Sequence, residues 1–232
     1  MKQRTVLISG ASRGIGRAVA ERLLKDGHRL SLGLRNPSVL DGTVLDADNV
    51  QRHCYDALDP DSASHWVGAC VDRWGSCDAI VHSAGILHRT PLLFADGEER
   101  DLEALWRVNV MGPWWLTRAA WPLLQASGQG RIQVLVSMSG KRVKGQMAGY
   151  PMSKFALMAL CQSMRNEGWD QGIRVTAICP SWVNTDMAQS INRLPAEQLT
   201  QPEDLARMSS NLLQLPDAAV PFELLINCSL EA

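Results

Sequence analysis

Tyr150 and Lys154 stand four residues apart in a stretch with helical periodicity, so both side chains fall on one helix face. A phenol with an ordinary pKa of about 10 is a poor acid–base catalyst at neutral pH. An ammonium beside it favours tyrosinate and lowers that pKa, so Lys154 would ready Tyr150 for proton transfer. Leu157 and Cys161 continue the same face toward a core. Ser137, thirteen positions before Tyr150, ends an apolar run that reads as a strand. The C-terminal ends of strands line the ligand crevice of α/β sheets, so the Ser137 hydroxyl would hold a substrate oxygen beside Tyr150. Ser139 is a rival, because alternate residues can point the same way. No GxSxG elbow surrounds Ser137, which disfavours a Ser-His-Asp hydrolase.

Asn109 belongs to a third group. Leu102, Leu105, Trp106 and Asn109 form an i, i+3, i+4, i+7 stripe, which puts an amide on an apolar face where it needs partners. Pro113 follows four residues later and has no N–H, so the Asn109 carbonyl loses its helical donor. That carbonyl is expected to bind a water that links Lys154 to solvent as a proton relay. The plainer alternative is a proline kink beside a structural Asn.

A phosphate site is written near the N-terminus. Ser9-Gly10-Ala11-Ser12-Arg13-Gly14-Ile15-Gly16 follows an apolar run and opens an amphipathic stretch. Glycines there allow a tight turn and close approach to a pyrophosphate, and the helix N-terminus adds free N–H groups and the positive end of its dipole. The second apolar run ends in Gly33-Leu34-Arg35-Asn36, without the carboxylate that would bind a ribose 2′-hydroxyl. Arg35 and Arg13 are placed instead to pair with a 2′-phosphate. The expected cofactor is therefore NADP(H).

The elements that would position these groups alternate regularly. Apolar runs at Thr5–Ser9, Arg29–Leu34, Val50–Tyr55, Asp78–His82, Arg131–Val136, Arg174–Cys179 and Glu223–Asn227 suit strands buried on both faces. Helical stretches fall near Gly14–Asp26, Ser62–Trp74, Leu102–Leu124, Tyr150–Trp169 and Gln201–Leu213. The gap between Leu34 and Val50 holds Pro37 and Gly42 and predicts only an abbreviated helix or a loop. Strand–helix alternation implies an α/β fold, a doubly wound Rossmann-type parallel sheet of about seven strands with helices on both faces. No linker is visible, so residues 1–232 read as one domain, with residues 182–202 as a lid.

Composition narrows the function classes. Hydrophobic residues make up 46% and charged residues 20%, which excludes bulk disorder. A net charge of −1 argues against nucleic acid or an anionic membrane as a partner. The apolar run at Val6-Leu7-Ile8 is too short for a signal peptide core or a membrane span. The six cysteines show no CxxC spacing and read as buried thiols of a reducing, cytoplasmic compartment. The five histidines show no ligand spacing, so no catalytic metal is expected.

Taken in order, these motifs resemble the short-chain dehydrogenase/reductase family, in its single-domain, NADP-preferring branch. The family's TGxxxGxG appears with Ser9 for Thr, its NNAG as His82-Ser83-Ala84-Gly85, and its helix Asn as Asn109. Its active-site Ser matches Ser137, its YxxxK matches Tyr150-Pro151-Met152-Ser153-Lys154, and its PGxVxT matches Pro180-Ser181-Trp182-Val183-Asn184-Thr185. The resemblance implies a catalytic Asn109, Ser137, Tyr150 and Lys154, with the spacing favouring Ser137 over Ser139. It implies cofactor contacts from Gly10, Ser12, Arg13, Gly14, Ile15, Gly16, Arg35, Asp56, Ala57, Ser83, Ala84 and Gly85. Tyr150, Lys154, Pro180, Ser181, Val183 and Thr185 would complete them, with Lys154 on the nicotinamide ribose and residues 180–185 on the carboxamide. Two departures stand out. His82-Ser83 replaces the paired asparagines, so their strand-bridging bonds must be made otherwise, and Ser181 adds a side chain where the family has glycine.

The expected activity is NADP(H)-dependent reduction of a small-molecule carbonyl compound to an alcohol, or the reverse. Trp182, Met187, Met138, Met147 and Leu87 are candidates for an apolar substrate pocket. One alternative is a 3-oxoacyl-[acyl-carrier-protein] reductase, although Gly128 and Gln171 stand where such enzymes carry docking arginines, with Arg131 and Arg174 close by. Another is a non-catalytic NADPH-sensing protein, disfavoured because both Tyr150 and Lys154 are kept. Epimerases and dehydratases of the longer family branch add C-terminal structure, and only residues 214–232 follow the last helical stretch. The tryptophan-rich segment from Trp106 to Trp121 is an apolar face suited to a homodimer or homotetramer.

Overall fold

Each apolar run finds its neighbour at the same pleat, and together they build one parallel sheet. A computed structural model describes residues 2–189 and 195–231. The strands are β1 (Thr5–Ser9), β2 (Arg29–Leu34), β3 (Val50–Cys54), β4 (Ala79–His82), β5 (Arg131–Leu135), β6 (Arg174–Pro180) and β7 (Glu223–Ile226). Their order is β3-β2-β1-β4-β5-β6-β7. Within it Val6 lies between Leu30 and Ala79, and Ser9 between Gly33 and His82. The chain leaves β1 toward β2 and β3, then returns to the other side of β1 for β4. The C-terminal ends of β1 and β4 thus flank the point where the winding reverses, which is where ligands enter such sheets.

The pleat sends successive residues to opposite faces. Val6 and Ile8 pack with Val19 and Leu23 of helix α1 (Gly14–Lys25) and Leu213 of helix α7 (Pro202–Gln214). Leu7 packs on the other face with Trp66 of α2 (Pro60–Trp74), Leu116 and Leu124 of α4 (Gly112–Ala126), and Leu157 and Cys161 of α5 (Gly149–Gly168). Double-sided burial holds for the inner strands. At the rims it fails, since β3 and β7 have a neighbour on one side only and most of their residues stay partly exposed. The 34–50 gap contains a short 3₁₀ turn, Pro37–Leu40, whose first turn is capped by Asn36 Oδ1 accepting from Ser38 N.

The long helix expected over 102–124 is divided. Helix α3 spans Glu99–Trp106, a π-helical turn covers Arg107–Met111, and α4 follows. Pro113 stands at the start of α4; it has no N–H to donate and its ring crowds the carbonyl four residues back, which favours a widened turn before it. Gly112 N donates to Arg107 O, five residues back. A short helix α6 (Asp186–Gln189) begins the expected lid. Val183 bridges to Thr200, Asn184 N donates to Thr200 O at 2.9 Å, and Asn184 Nδ2 donates to Gln201 Oε1 at 2.9 Å, so the two ends of the segment are tied together. Residues 190–194 of that lid lie outside the described residues. Among the described residues no helix is long and apolar enough to cross a membrane.

Candidate active site

The turn between β1 and α1 is held close to the segment after β4. Gly10 has φ +75°, and a Cβ there would lie 2.6 Å from Ala84 N. A Cβ on Gly16 would lie 2.9 Å from Ser83 Oγ. Side chains are excluded at both positions, so backbone meets backbone beneath the mouth of the cleft. Arg13, which precedes helix α1, gives it no side-chain cap, and the first turn has no acidic residue, so its N–H groups remain available to an anion. Gly14, at φ +55°, faces Thr185 Cγ2 across the mouth, with its ideal Cβ 3.3 Å away.

This turn forms one end of a cleft of about 820 Å³. Gly10, Ser12, Arg13, Gly14, Ile15 and Arg35 line it, as do Asp56, Ala57, Ser83, Ala84 and Gly85. Ser137, Tyr150, Lys154, Pro180, Ser181, Val183 and Thr185 complete the wall. Gly16 and Asn109 do not reach it: both are buried behind the lining residues. All five candidate pocket residues, Leu87, Met138, Met147, Trp182 and Met187, do reach it. Arg35 is exposed at its edge, and Arg13 makes a long, solvent-exposed pair with Asp186 at 3.5 Å. Asp56 caps the turn before α2, its Oδ1 accepting from Leu58 N at 2.9 Å.

Ser137 supplies the strongest geometric signal. Its φ is +110° and its ψ 155°, and it is the only non-glycine residue with positive φ among the described residues. That region of backbone space is nearly closed to side chains and costs about 1–3 kcal/mol. The strain turns the hydroxyl toward Tyr150, with which it shares a hydrogen bond, while Oγ also accepts from Ser139 N at 3.1 Å. Ser139 lines the cleft, but its backbone serves Ser137. Strain has a measurable consequence. At ordinary positions alanine is more stable than glycine, but Ser137→Gly should be more stable than Ser137→Ala by about 1–2 kcal/mol in denaturant titration. The usual order, alanine above glycine, would show that the backbone there is relaxed.

Tyr150 and Lys154 are both buried on the inner face of α5. Lys154 Nζ donates to Leu135 O at 2.9 Å and sits 5.6 Å from the centre of the Tyr150 ring. Burial pushes the Tyr150 phenol up to about 12, with the Ser137 hydrogen bond pulling the other way. Burial pulls Lys154 down to about 8. The expected lowering of the Tyr150 pKa by Lys154 is therefore not what this geometry produces. The ammonium is engaged by a backbone carbonyl, and desolvation of the phenolate outweighs it.

Asn109 is fully buried and satisfied. Its Oδ1 accepts from Ile86 N at 2.9 Å, and its Nδ2 donates to Ile86 O and Ser153 Oγ, each at 3.0 Å. Ser153 Oγ donates in turn to Tyr150 O at 2.7 Å. The amide thus clamps the π-helical turn to both the segment after β4 and the start of α5. A Cβ on Gly85 would lie 3.3 Å from Asn109 Oδ1 and 3.8 Å from Lys154 Nζ, so the three groups are neighbours. Sequence reasoning missed Ser153 and the Leu135 carbonyl. Ser153 lies inside the YxxxK spacing and was open to notice; a backbone acceptor leaves no mark in a sequence.

The departures at 82, 83 and 181 are compensated locally. Ser9 Oγ accepts from Ser83 N and Ala84 N, both at 3.3 Å, and so bridges the two segments. His82 Nε2 pairs with Thr117 Oγ1 at 2.9 Å. Ser181 turns its hydroxyl to the C-terminal segment, where Oγ accepts from Cys228 N at 2.8 Å. Burial drives the His82 pKa down from 6.5 to about 3, and it lowers that of His28 as well. The folded chain holds His82 neutral while the unfolded chain takes up a proton below about pH 6.5. Its contribution is thus complete above that pH and is lost as pH falls toward 3, at a limiting slope of about 1.4 kcal/mol per pH unit. His82→Asn should remove that share of the pH slope of unfolding free energy, measured by urea titration from about pH 7 to 5. An unchanged slope would place the acid sensitivity elsewhere.

Comparison with known proteins gives the site a setting. The family model described as short chain dehydrogenase matches residues 4–195. The chain is 34% identical over 215 residues to an agropine synthesis reductase of Rhizobium rhizogenes, covering 92% of this chain and 50% of that protein. It thus spans about half the length of that curated relative. It is 30% identical over 225 residues to oxidoreductase UcpA of Escherichia coli K12, covering 95% of this chain and 84% of the relative. Among solved structures, an alcohol dehydrogenase from the archaeon Thermococcus sibiricus, complexed with 5-hydroxy-NADP, superposes with a TM-score of 0.87 at 28% identity. That match covers 97% of this chain and 96% of the other. A metagenomic short-chain oxidoreductase in complex with NADP gives 0.82 at 26% identity, with 97% of each chain covered.

Proposed function

Because this chain belongs to the short-chain dehydrogenase/reductase family, we propose that it is an NADP(H)-dependent reductase, converting a ketone or aldehyde to an alcohol or running the reverse oxidation. The observation that carries this reading is the shared cleft, in which Ser137, Tyr150 and Lys154 stand beside an uncapped, glycine-built helix N-terminus. The residues fit a dinucleotide. The N–H groups of the first turn of α1 would take the pyrophosphate, Arg13 and Arg35 a 2′-phosphate, and Asp56 the adenine amino group. Ala57 and Ser83-Ala84-Gly85 would form the floor, and Pro180, Ser181, Val183 and Thr185 would hold the carboxamide.

Bound there, NADPH supplies a hydride to a carbonyl carbon. The remaining work falls to side chains. Ser137 would hold the carbonyl oxygen, and Tyr150, kept neutral by burial, would give it a proton. Lys154 would hold ribose hydroxyls and carry the compensating positive charge. Asn109 positions Tyr150 through Ser153, and its carbonyl would hold the water that returns a proton to Lys154. The test is oxidation of NADPH and NADH, followed by loss of the reduced cofactor's absorbance, over a panel of ketones, aldehydes, quinones and 3-oxoacyl thioesters. Turnover with NADPH supports the reading. NADPH binding without turnover across the panel would favour a sensing role instead.

The thioester reductase alternative loses support from the neighbouring arginines. Arg131 is buried and pairs with Asp217 at 2.6 Å, and Arg174 lies 3.9 Å from the centre of the Trp169 ring and donates to Asp217 O. Both are occupied within the fold rather than presented to a carrier.

The protein is proposed to act as a homodimer or homotetramer. Trp106 and Trp114, beside the π-helical turn, and Met152 and Phe155 of α5 are large apolar side chains left 44–67% exposed. Light scattering at micromolar concentration should give at least twice the chain mass, and a monomer would remove the claim. A reducing, cytoplasmic location is supported by the free thiols of Cys70, Cys77, Cys161 and Cys179, all buried.

A further inference from the structure

The chain leaves strand β6 at Ser181 by an exchange of acceptors. In a parallel pair, evenly spaced hydrogen bonds run in turn from one strand to the other. Ala177 N donates to Phe222 O at 2.8 Å and Ser181 N donates to Ile226 O at 2.8 Å, so β6 and β7 keep one register to this point. The next bond of that series would run from Cys228 N to the Ser181 carbonyl. It runs to the Ser181 hydroxyl instead, with Oγ accepting from Cys228 N at 2.8 Å. The side chain thus stands in for its own main-chain carbonyl. The backbone is released from the sheet at residue 181, while the segment after β7 stays fastened to it. Cys228 is buried, so its N–H needs a partner within the protein.

The loop released there, residues 181–185, lines the cleft and leads to Thr185, which faces Gly14 across the mouth. A second anchor holds the middle of the loop to α7. Val183 buries its side chain with Leu205 and Leu212, Thr200 N donates to Trp182 O at 3.2 Å, and Asn184 N donates to Thr200 O at 2.9 Å. Leu199 and Thr200 at this anchor, and Ile226 and Cys228 at the other, line a common cavity of about 450 Å³. The two anchors therefore face each other across open space, and neither replaces the other. Ile226, Asn227 and Cys228 lie outside the cleft lining, so this segment acts on the cleft through residue 181.

We propose that Ser181 is a positioning residue: its hydroxyl, by holding Cys228 N in place of a main-chain carbonyl, fixes where the 181–185 loop enters the cleft and so preorganises the nicotinamide end of the cofactor site. The proposal rests on reading the cleft as a dinucleotide site. An alanine or glycine at 181 has no oxygen to offer Cys228. The chain must then either return the carbonyl of residue 181 to the sheet, drawing the loop out of place, or leave a buried N–H unpaired. In both cases the loop has to be ordered as the cofactor binds, which lowers affinity. The adenine end, built on α1 and the end of β2, is untouched by this change.

The test is calorimetry on the whole chain with NADPH and with 2′,5′-ADP, which carries the 2′-phosphate but no nicotinamide. Ser181→Ala should weaken NADPH by about fivefold or more, the worth of one hydrogen bond, and leave 2′,5′-ADP within about twofold. Ser181→Thr, which keeps the acceptor oxygen, should recover most of the loss. Retained 2′,5′-ADP binding shows that the variant is folded. Equal weakening of both ligands, no weakening of NADPH, or a threonine variant as weak as the alanine one overturns the proposal. If NADH is the dinucleotide that binds, NADH and ADP take the two places with the same expectations. If the wild type binds no dinucleotide, the cofactor reading fails, and amide hydrogen exchange judges the brace. Faster exchange at residues 182–185 in Ser181→Ala, absent in Ser181→Thr, upholds it, and unchanged exchange removes it.

Discussion

Replacing Tyr150 with phenylalanine should lower kcat by about 10²–10⁴, the range for losing a positioned general acid, while leaving NADPH affinity within a few-fold. The two readouts separate because the change removes one oxygen and keeps the ring. That ring is buried on the inner face of α5, and the hydroxyl hydrogen-bonds Ser137 rather than the core. Folding should change little, since the lost bond is worth about 1 kcal/mol. Turnover is different. A carbonyl oxygen that gains hydride electron density at the carbon becomes an alkoxide unless a proton arrives with it. On the proposed reading Tyr150, pushed up to about 12 by burial, would be the protonated group beside it. The measurement is steady-state oxidation of NADPH alongside fluorescence titration of the cofactor. A Tyr150→Phe enzyme with more than a tenth of the wild-type kcat would assign proton delivery to another group, and loss of cofactor binding would mean that the ring shapes the nicotinamide pocket.

The second large effect concerns the choice of cofactor. The double variant Arg13→Gln, Arg35→Asp should lower the ratio of kcat/KM for NADPH over NADH by at least a hundredfold. On the proposed NADP(H) reading each arginine would supply a charge-assisted bond worth about 1.5–3 kcal/mol to a 2′-phosphate, and a carboxylate at 35 would repel that phosphate while accepting from a 2′-hydroxyl. Neither side chain has structural duties that compete. Arg35 is exposed, and the Arg13 pair with Asp186 is long and solvent-screened. Unfolding free energy should thus be unchanged within about 0.5 kcal/mol, as for other surface substitutions. The preference should also weaken with salt, because both charges face solvent. Wild-type enzyme that uses the two cofactors equally would show that these arginines do not read the 2′ position.

Much of this protein was legible as spacing. Buried strands are continuous apolar runs, glycine turns lie where backbones must touch, and the Tyr150-Lys154 interval puts two functional groups on one helix face. These follow from local geometry, whose period is written in the order of residues. They place the seven strands and the helices on both faces; about half of the cleft lining was named as well, most of it through the family resemblance. Strand ends differ by a residue or so, because a pairing partner decides where a strand stops.

What was not legible depends on contacts between distant segments. The broken helix at Arg107–Met111 was marked by Pro113, but its form, a π-helical turn clamped by Asn109 to Ile86 and Ser153, needed the packed neighbours. The sign of the Tyr150 shift came out opposite to expectation because it is a balance. Proximity in sequence to Lys154 says nothing about desolvation by the surrounding core, nor about the Leu135 carbonyl that engages the ammonium. The strain at Ser137 is likewise invisible in a string of letters, since an ordinary serine accepts φ +110° only where strand, turn and helix together impose it. The docking of the loop after β4 on the start of α5, where Ala148 N and Gly149 N donate to Thr90 O at 2.8 and 3.2 Å, likewise joins segments far apart in the chain. Local chemistry selected the elements and the spacing of the candidate site residues; burial and long-range juxtaposition set their protonation and their strain.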